Sequence, residues 1–109
     1  MTVFGKRILH DLPKQVKEMR EMQERIDELR QKIVQALNLQ DIVPDEIDPD
    51  EQLVGGRLGI DSIDVLEMVM MVEKDYGLTI DNRELGARVF ASVRALAAFI
   101  ENPTAEPPN

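Results

Sequence analysis

The spacing of apolar residues in the first third of the chain predicts an amphipathic helix from about Val16 to Leu37. Its apolar positions recur every three or four residues, at Met19, Met22, Ile26, Leu29, Ile33 and Ala36. That spacing aligns them in one narrow stripe along a helix. Asp11 and Pro13 are typical of a helix start, because proline is tolerated in the first helical turn.

Three further helices are predicted in the second half of the chain. The apolar-rich segment over residues 62–76 is followed by Gly77, and glycine is typical of a helix C-terminus. Asp81 and Glu84 have the spacing of a capping box, which predicts a short third helix. Ser92 has the position of an N-cap for a fourth helix. The apolar face of that fourth helix is formed by Val93, Leu96, Phe99 and Ile100.

Residues 38–61 interrupt the helical pattern. Pro44 and Pro49 restrict the backbone, whereas Gly59 releases it. A connection of this length is uncommon in a small domain unless it is functional or disordered. Its apolar residues favour an ordered loop that packs against the core and contains one short helical turn. These residues are Ile42, Val43, Ile47, Leu53, Val54 and Leu58.

Length and composition restrict the class of protein. A chain of 109 residues predicts one domain. It has no cysteine, which excludes disulfides and thiolate metal sites, and its loop carboxylates lack EF-hand spacing, so no metal site is predicted. We expect a cytoplasmic protein without stable membrane insertion, because neither a bilayer-spanning run nor a secretory signal is recognisable.

The charge is unevenly distributed along the chain. The net charge is -8, and residues 38–109 hold five Lys/Arg against fifteen Asp/Glu. An acidic surface repels nucleic-acid phosphate and favours partners with basic patches. Nucleic acid is therefore not an expected partner.

The predicted second helix has two apolar faces, since each helical residue advances by about 100°. One set falls between about 140° and 240° of that rotation: Val65, Met68, Val69, Val72 and Tyr76. The other falls between about 300° and 360°: Ile63, Leu66 and Met70. Acidic residues lie beside the second set: Asp64, Glu67 and Glu73. One face must pack on the core, and the other predicts a docking surface for proteins. The alternative is that the third helix or the long loop covers it.

Ser62 lies at the predicted start of the second helix. A nucleophilic serine needs a base, but the single histidine is His10, and the G-x-S-x-G pattern is missing. A structural alternative is that Ser62 or Asp61 serves only as an N-cap. The remaining interpretation is that Ser62 accepts a group from another enzyme. Helix N-terminal amides would suit an attached phosphodiester.

The segment Leu58-Gly59-Ile60-Asp61-Ser62-Ile63-Asp64 resembles the motif of acyl carrier proteins. Residues 65–77 resemble the second helix of that family, and residues 90–100 are similar to its last helix. The resemblance covers about residues 25–101. It implies an all-α fold: a four-helix acyl-carrier-like bundle with a long loop between helices 1 and 2 and a short third helix.

The resemblance also implies a function without catalysis by the chain itself. A phosphopantetheinyl transferase would add 4′-phosphopantetheine from coenzyme A to Ser62, and Asp61 would contact that transferase or its metal. Acyl groups would then be carried as thioesters and presented to fatty-acid, lipid or polyketide-type biosynthetic enzymes. The implied partners are acyl-transferring and ketosynthase-type enzymes with basic patches.

The resemblance assigns roles to both faces of the second helix. The implied partner-binding residues are Ile63, Asp64, Leu66, Glu67, Met70 and Glu73. The implied acyl-pocket residues are Val65, Met68, Val72, Tyr76 and Leu96. The family usually has leucine at the position of Ile63, a difference that is nearly neutral in volume.

The predicted helix begins earlier than the family's first helix, which predicts a specialised carrier. We expect an N-terminal extension over residues 1–20, an acyl carrier domain over residues 21–102 and a disordered tail over residues 103–109. A carrier of this type is expected to be a monomer. The alternative is a non-carrier helical adaptor that dimerises through the apolar stripe of residues 19–36.

Overall fold

Four α-helices account for most of the regular structure in residues 13–103, the part of the chain that the computed structural model describes. They are α1 (Lys14–Ala36), α2 (Ser62–Tyr76), α3 (Arg83–Val89) and α4 (Val93–Glu101), and a 3₁₀ turn spans Pro44–Glu46. The all-α prediction with a long loop and a short third helix is confirmed. Asp11 and residues 104–109 lie outside the described part.

Local signals set most of the helix ends. Gly77 adopts a φ of 67° after α2, and its N–H donates to the Glu73 carbonyl at 3.1 Å. Ser92 caps α4 as predicted, because its Oγ accepts a hydrogen bond from the Ala95 N–H at 3.0 Å. Helix α1 begins directly after Pro13, which occupies the N-cap position.

The cap predicted for α3 was wrong by one residue. Asn82, not Asp81, is the N-cap, and its Oδ1 accepts from the Leu85 N–H at 2.7 Å. Both side chains carry a suitable acceptor. The helix starts one residue later than the sequence pattern indicates, so the acceptor of Asn82 is the one that reaches the free N–H.

Helix α1 supplies the centre of the core through the second half of its apolar stripe. Ile26, Leu29 and Ile33 are fully buried, whereas Met19 is 71% exposed. Helix α1 packs against α4, α2 and the 3₁₀ turn, and α3 packs against α4. The apolar stripe of residues 19–36 therefore packs mainly within the core of the protein, and its N-terminal residue Met19 is exposed.

The long loop is ordered against this core. Ile47, Leu53 and Leu58 are buried, and the 3₁₀ turn is the short helical turn that the sequence predicts. Val43 departs from the expectation, because it is 56% exposed. It immediately precedes the 3₁₀ turn, and its backbone N–H donates to the Glu46 carboxylate at 3.1 Å.

Candidate functional site

The loop that leads to α2 alternates between buried and exposed residues. Leu58 and Ile60 are buried, while Gly59 and Asp61 are exposed. Gly59 has a φ of 74°, a left-handed conformation that other residues adopt at a cost. The Gly55 N–H donates to the Ile60 carbonyl at 2.8 Å and closes the loop. The two buried side chains thus fix the backbone just before Ser62.

Asp61 and Asp64 cap α2 reciprocally. Oδ1 of Asp61 accepts from the N–H groups of Ile63 and Asp64, each at 3.0 Å. Oδ2 of Asp64 accepts from the Asp61 N–H at 3.1 Å. Asp61 is therefore the N-cap, and Ser62 is the first residue of the helix.

Ser62 is exposed at the positive end of the helix dipole. Oδ1 of the neighbouring Asp61 accepts from two backbone N–H groups, and within the described residues no hydrogen bond joins this carboxylate to the Ser62 hydroxyl, as a general base would require. His10 lies outside the described residues. An exposed hydroxyl at a helix N-terminus fits the attachment of a phosphodiester group, which the local dipole stabilises.

The second apolar face of α2 is open to solvent. Ile63 is 71% exposed, Leu66 is 63% exposed and Met70 is 62% exposed. Neither α3 nor the long loop covers these side chains, so the predicted alternative of coverage was wrong for the described residues. Glu67 and Glu73 are exposed on the same helix. The surface thus combines apolar side chains with negative charge beside Ser62.

The other face of α2 packs inward. Met68 and Val72 on α2 and Leu96 on α4 are fully buried members of the same core. Val65 and Tyr76 are partly buried and pack against that core. The five residues predicted as an acyl pocket thus belong to one continuous apolar cluster, with Tyr76 at its polar edge.

Tyr76 takes part in polar contacts that sequence reasoning did not anticipate. Its hydroxyl donates to Oε2 of Glu28 on α1, which also accepts from Nη1 of Arg25 at 2.8 Å. The Arg25 guanidinium lies 5.1 Å from the Tyr76 ring centroid. Nε of Arg25 donates to Oε1 of Glu101 at 3.0 Å. The partners are far apart in sequence, so no local pattern signals them.

The same contacts shift three ionisation equilibria. Burial, followed by the hydrogen bond to Glu28, raises the pKa of Tyr76 to about 12. The hydrogen bond from Tyr76 lowers the pKa of Glu28. Burial opposes the charged form of Arg25, but its hydrogen bonds to Glu101, Tyr76 and Glu28 outweigh burial and raise its pKa. The contacts therefore favour a neutral Tyr76 between a carboxylate and a guanidinium.

Residues 13–103 contain neither a helix that could span a membrane nor a cluster of metal ligands. None of the helices there has both the length and the apolarity required to cross a membrane. No group of three or more His, Asp or Glu side chains in that part is arranged to hold a metal ion.

The comparisons with known proteins agree with this geometry. The model of a family described as phosphopantetheine attachment site matches residues 27–100. The acyl carrier protein of Campylobacter hominis is 33% identical over 76 residues, which is 70% of this chain and 89% of that protein. The acyl carrier protein of a Sulfurovum species is 36% identical over 76 residues, covering 70% and 93% of the two chains. No solved structure gives a significant match. The chain therefore belongs to the acyl carrier proteins, which are carriers with a covalent 4′-phosphopantetheine group rather than enzymes.

Proposed function

We propose that Ser62 is the attachment point of 4′-phosphopantetheine and that the protein presents acyl groups to enzymes of fatty-acid, lipid or polyketide-type biosynthesis. One observation carries this proposal: an exposed serine begins α2, and the exposed side chains of Ile63, Leu66 and Met70 lie on the same helix. Attachment site and docking surface are thus parts of one rigid element.

The residues around Ser62 suit modification by a separate enzyme. The Asp61 and Asp64 carboxylates hold the first turn of α2 through three hydrogen bonds, which fixes the backbone on either side of Ser62. In the transfer, Oγ of Ser62 would bond to the phosphorus that carries the pantetheine of coenzyme A, and the pyrophosphate P–O bond would break so that adenosine 3′,5′-bisphosphate leaves. The proton of the Ser62 hydroxyl would pass to a base of the transferase. We assign Asp61 a further contact with the transferase or its metal.

When bound, the prosthetic group supplies a terminal thiol that holds acyl groups as thioesters. The chain contributes the tether point, and tethering raises the effective concentration of an acyl group at a docked enzyme. Ile63, Leu66 and Met70 contribute apolar contact area to that docking. Glu67 and Glu73, together with Asp64, attract enzymes with basic patches and orient the encounter.

The inward face of α2 has a separate proposed role, the shelter of the acyl chain between α2 and α4. The pocket residues are Val65, Met68, Val72, Tyr76 and Leu96. Methionine is flexible and polarisable, so Met68 adapts to an inserted chain at little cost. Small side chains at Ala95 and Ala97 on α4 leave few atoms to displace.

The extension before the family-matched region supports a specialised carrier, which we place in the cytoplasm as a monomer. The adaptor alternative requires a free apolar stripe on α1. Because Ile26, Leu29 and Ile33 are fully buried in the core, the structure supports the carrier over the adaptor.

Loading of Ser62 tests the proposal directly. The protein is incubated with coenzyme A and a broad-specificity phosphopantetheinyl transferase, and its intact mass is measured. We expect one phosphopantetheine adduct on the wild type and none on Ser62→Ala. Ser92→Ala is the matched control, because Ser62 and Ser92 are the two serines of the chain, and it should accept the adduct. An unmodified wild type, or a modified Ser62→Ala, would contradict the proposal.

A further inference from the structure

We propose that a polar cluster at the C-terminal ends of α2 and α4 limits how deeply an acyl chain enters between these helices. The end cluster consists of Arg25, Glu28, Lys32, Asp75, Tyr76 and Glu101. This proposal rests on the proposed carrier function and assigns these residues a part in selecting the length of the cargo.

Arg25 joins the ends of the two helices. Its Nε donates to Glu101, the last residue of α4, at 3.0 Å, and its guanidinium lies 5.1 Å from the ring centroid of Tyr76, the last residue of α2. Glu28 accepts hydrogen bonds from both Arg25 and Tyr76. One side chain of α1 therefore connects α2 with α4 at this end of the molecule.

A second ion pair reinforces the same end. Nζ of Lys32 donates to Oδ2 of Asp75 at 2.9 Å and lies 5.7 Å from the centroid of the Tyr76 ring. The Lys32 and Asp75 side chains are each 31% exposed, so this pair is only partly screened by solvent. Two cations of α1 thus contact the end of α2.

The end cluster lies at the opposite end of α2 from Ser62, where it would limit the entry of an acyl chain. Tyr76 is fourteen residues after Ser62 on one helix, or about 21 Å along its axis. Between them the inward face of α2 is apolar, with Met68 and Val72 fully buried. At Tyr76 the lining becomes polar and charged. The inward face of α2 would therefore present no charge to an acyl chain that entered from the Ser62 end until the chain reached this point.

Passing the end cluster is unfavourable for an acyl chain. The chain would have to separate Arg25 from Tyr76 or Glu101 and leave polar groups without partners in a partly buried place. Arg25 has a 29% exposed side chain and Glu101 a 33% exposed one, so water replaces the lost partners incompletely. The cluster therefore acts as a floor for the acyl pocket.

The test loads Ser62 with a series of acyl groups, from butanoyl through octanoyl and dodecanoyl to hexadecanoyl. The gain in Tm over the form with a free thiol is measured for the wild type, Arg25→Gln and Tyr76→Phe. We expect the chain length with the largest gain to move to a longer member of the series in both variants. The methyl shifts of Val72 and Leu96 should follow the same order, since they report insertion independently of Tm.

Asp50→Asn is the matched control, because Asp50 forms an exposed ion pair with Arg94 near the start of α4. It should lower Tm for all loaded forms equally and leave the preferred chain length unchanged. Tyr76→Phe removes one hydroxyl and keeps the ring, so a folded variant is available even if Arg25→Gln unfolds.

The outcomes separate this proposal from the proposed function. Loaded variants whose preferred chain length equals that of the wild type would overturn the role of the end cluster and leave the carrier function intact. Methyl shifts of Val72 and Leu96 that do not change on acylation would overturn it as well. A wild type that accepts no prosthetic group on Ser62 would overturn both proposals.

Discussion

At the scale of single residues, the Asp61 carboxylate beside Ser62 caps the N-terminus of α2. Asp61 accepts two backbone hydrogen bonds at the start of α2, and the Asp64 carboxylate accepts one from the Asp61 N–H. Both bonds that Asp61 accepts end on its Oδ1, so the proposed contact with a transferase or its metal can be made by Oδ2 while the cap is kept. The stability of the helix start and the efficiency of modification are therefore separable properties of one side chain.

Replacing Asp61 separates these properties. Asp61→Ala should lower the free energy of unfolding by about 1 kcal/mol, because the N-cap acceptor is lost. Asp61→Asn should retain most of that stability, since its amide oxygen accepts the same bonds without the negative charge. Urea unfolding measures the stability, and the rate of phosphopantetheine transfer measures the second property. If Asn proved as destabilising as Ala, the capping role assigned to Asp61 would be wrong.

At the scale of elements, one face of α2 packs on the core and another face is exposed to solvent. One face holds Met68 and Val72 in the core, and the other leaves Leu66 and Met70 in solvent. Large apolar side chains in water contribute little to folding. The proposed docking surface would explain their place on α2, because a docked enzyme would bury them.

Two alanine substitutions on α2 should distinguish its faces. Leu66→Ala is expected to change the free energy of unfolding by less than about 0.5 kcal/mol, as is usual for surface positions. Met68→Ala should cost about 2–5 kcal/mol, because it opens a cavity in the core. Chemical denaturation of both variants is the measurement. A large loss of stability in Leu66→Ala would indicate that this side chain packs within the protein rather than facing partners.

At the scale of the whole molecule, the two halves of α1 differ in burial. Residues 14–20 are all exposed, whereas Ile26, Leu29 and Ile33 on the same helix are fully buried. The family-matched region begins at residue 27, thirteen residues after the start of α1. The first turns of α1 therefore add little to the core.

Removal of residues 1–20 tests the proposed domain boundaries. The shortened protein should remain folded and monomeric, because the core residues of α1 and the Arg25 contacts are retained. Sedimentation equilibrium gives the mass in solution, and the thermal transition gives the stability. A full-length dimer that becomes monomeric on truncation would instead support an adaptor that associates through α1.

Local features made α2 and α4 predictable from the sequence. Asp61, Gly77 and Ser92 cap helix ends through bonds to residues within about one turn, so these roles can be predicted from the local sequence alone. The exposure of Val43 and the contact between Glu28 and Tyr76 were not predictable. Glu28 and Tyr76 are 48 residues apart in the sequence, and their contact depends on how α1 packs against α2, which no local pattern indicates. The exposure of Val43 likewise depends on how the long loop packs against the core.

The long loop is joined to the start of α4 by two backbone hydrogen bonds, from Leu53 N–H to the Ala91 carbonyl at 3.2 Å and from Arg94 N–H to the Pro49 carbonyl at 2.9 Å. The long loop and the start of α4 are consequently expected to move together. We expect a cargo that widens the gap between α2 and α4 to tilt α2 as a whole, together with the buried Ile60 that fixes its approach and with Ser62 at its start. The strain of a longer cargo would thereby reach the protein surface as a changed orientation of the tether.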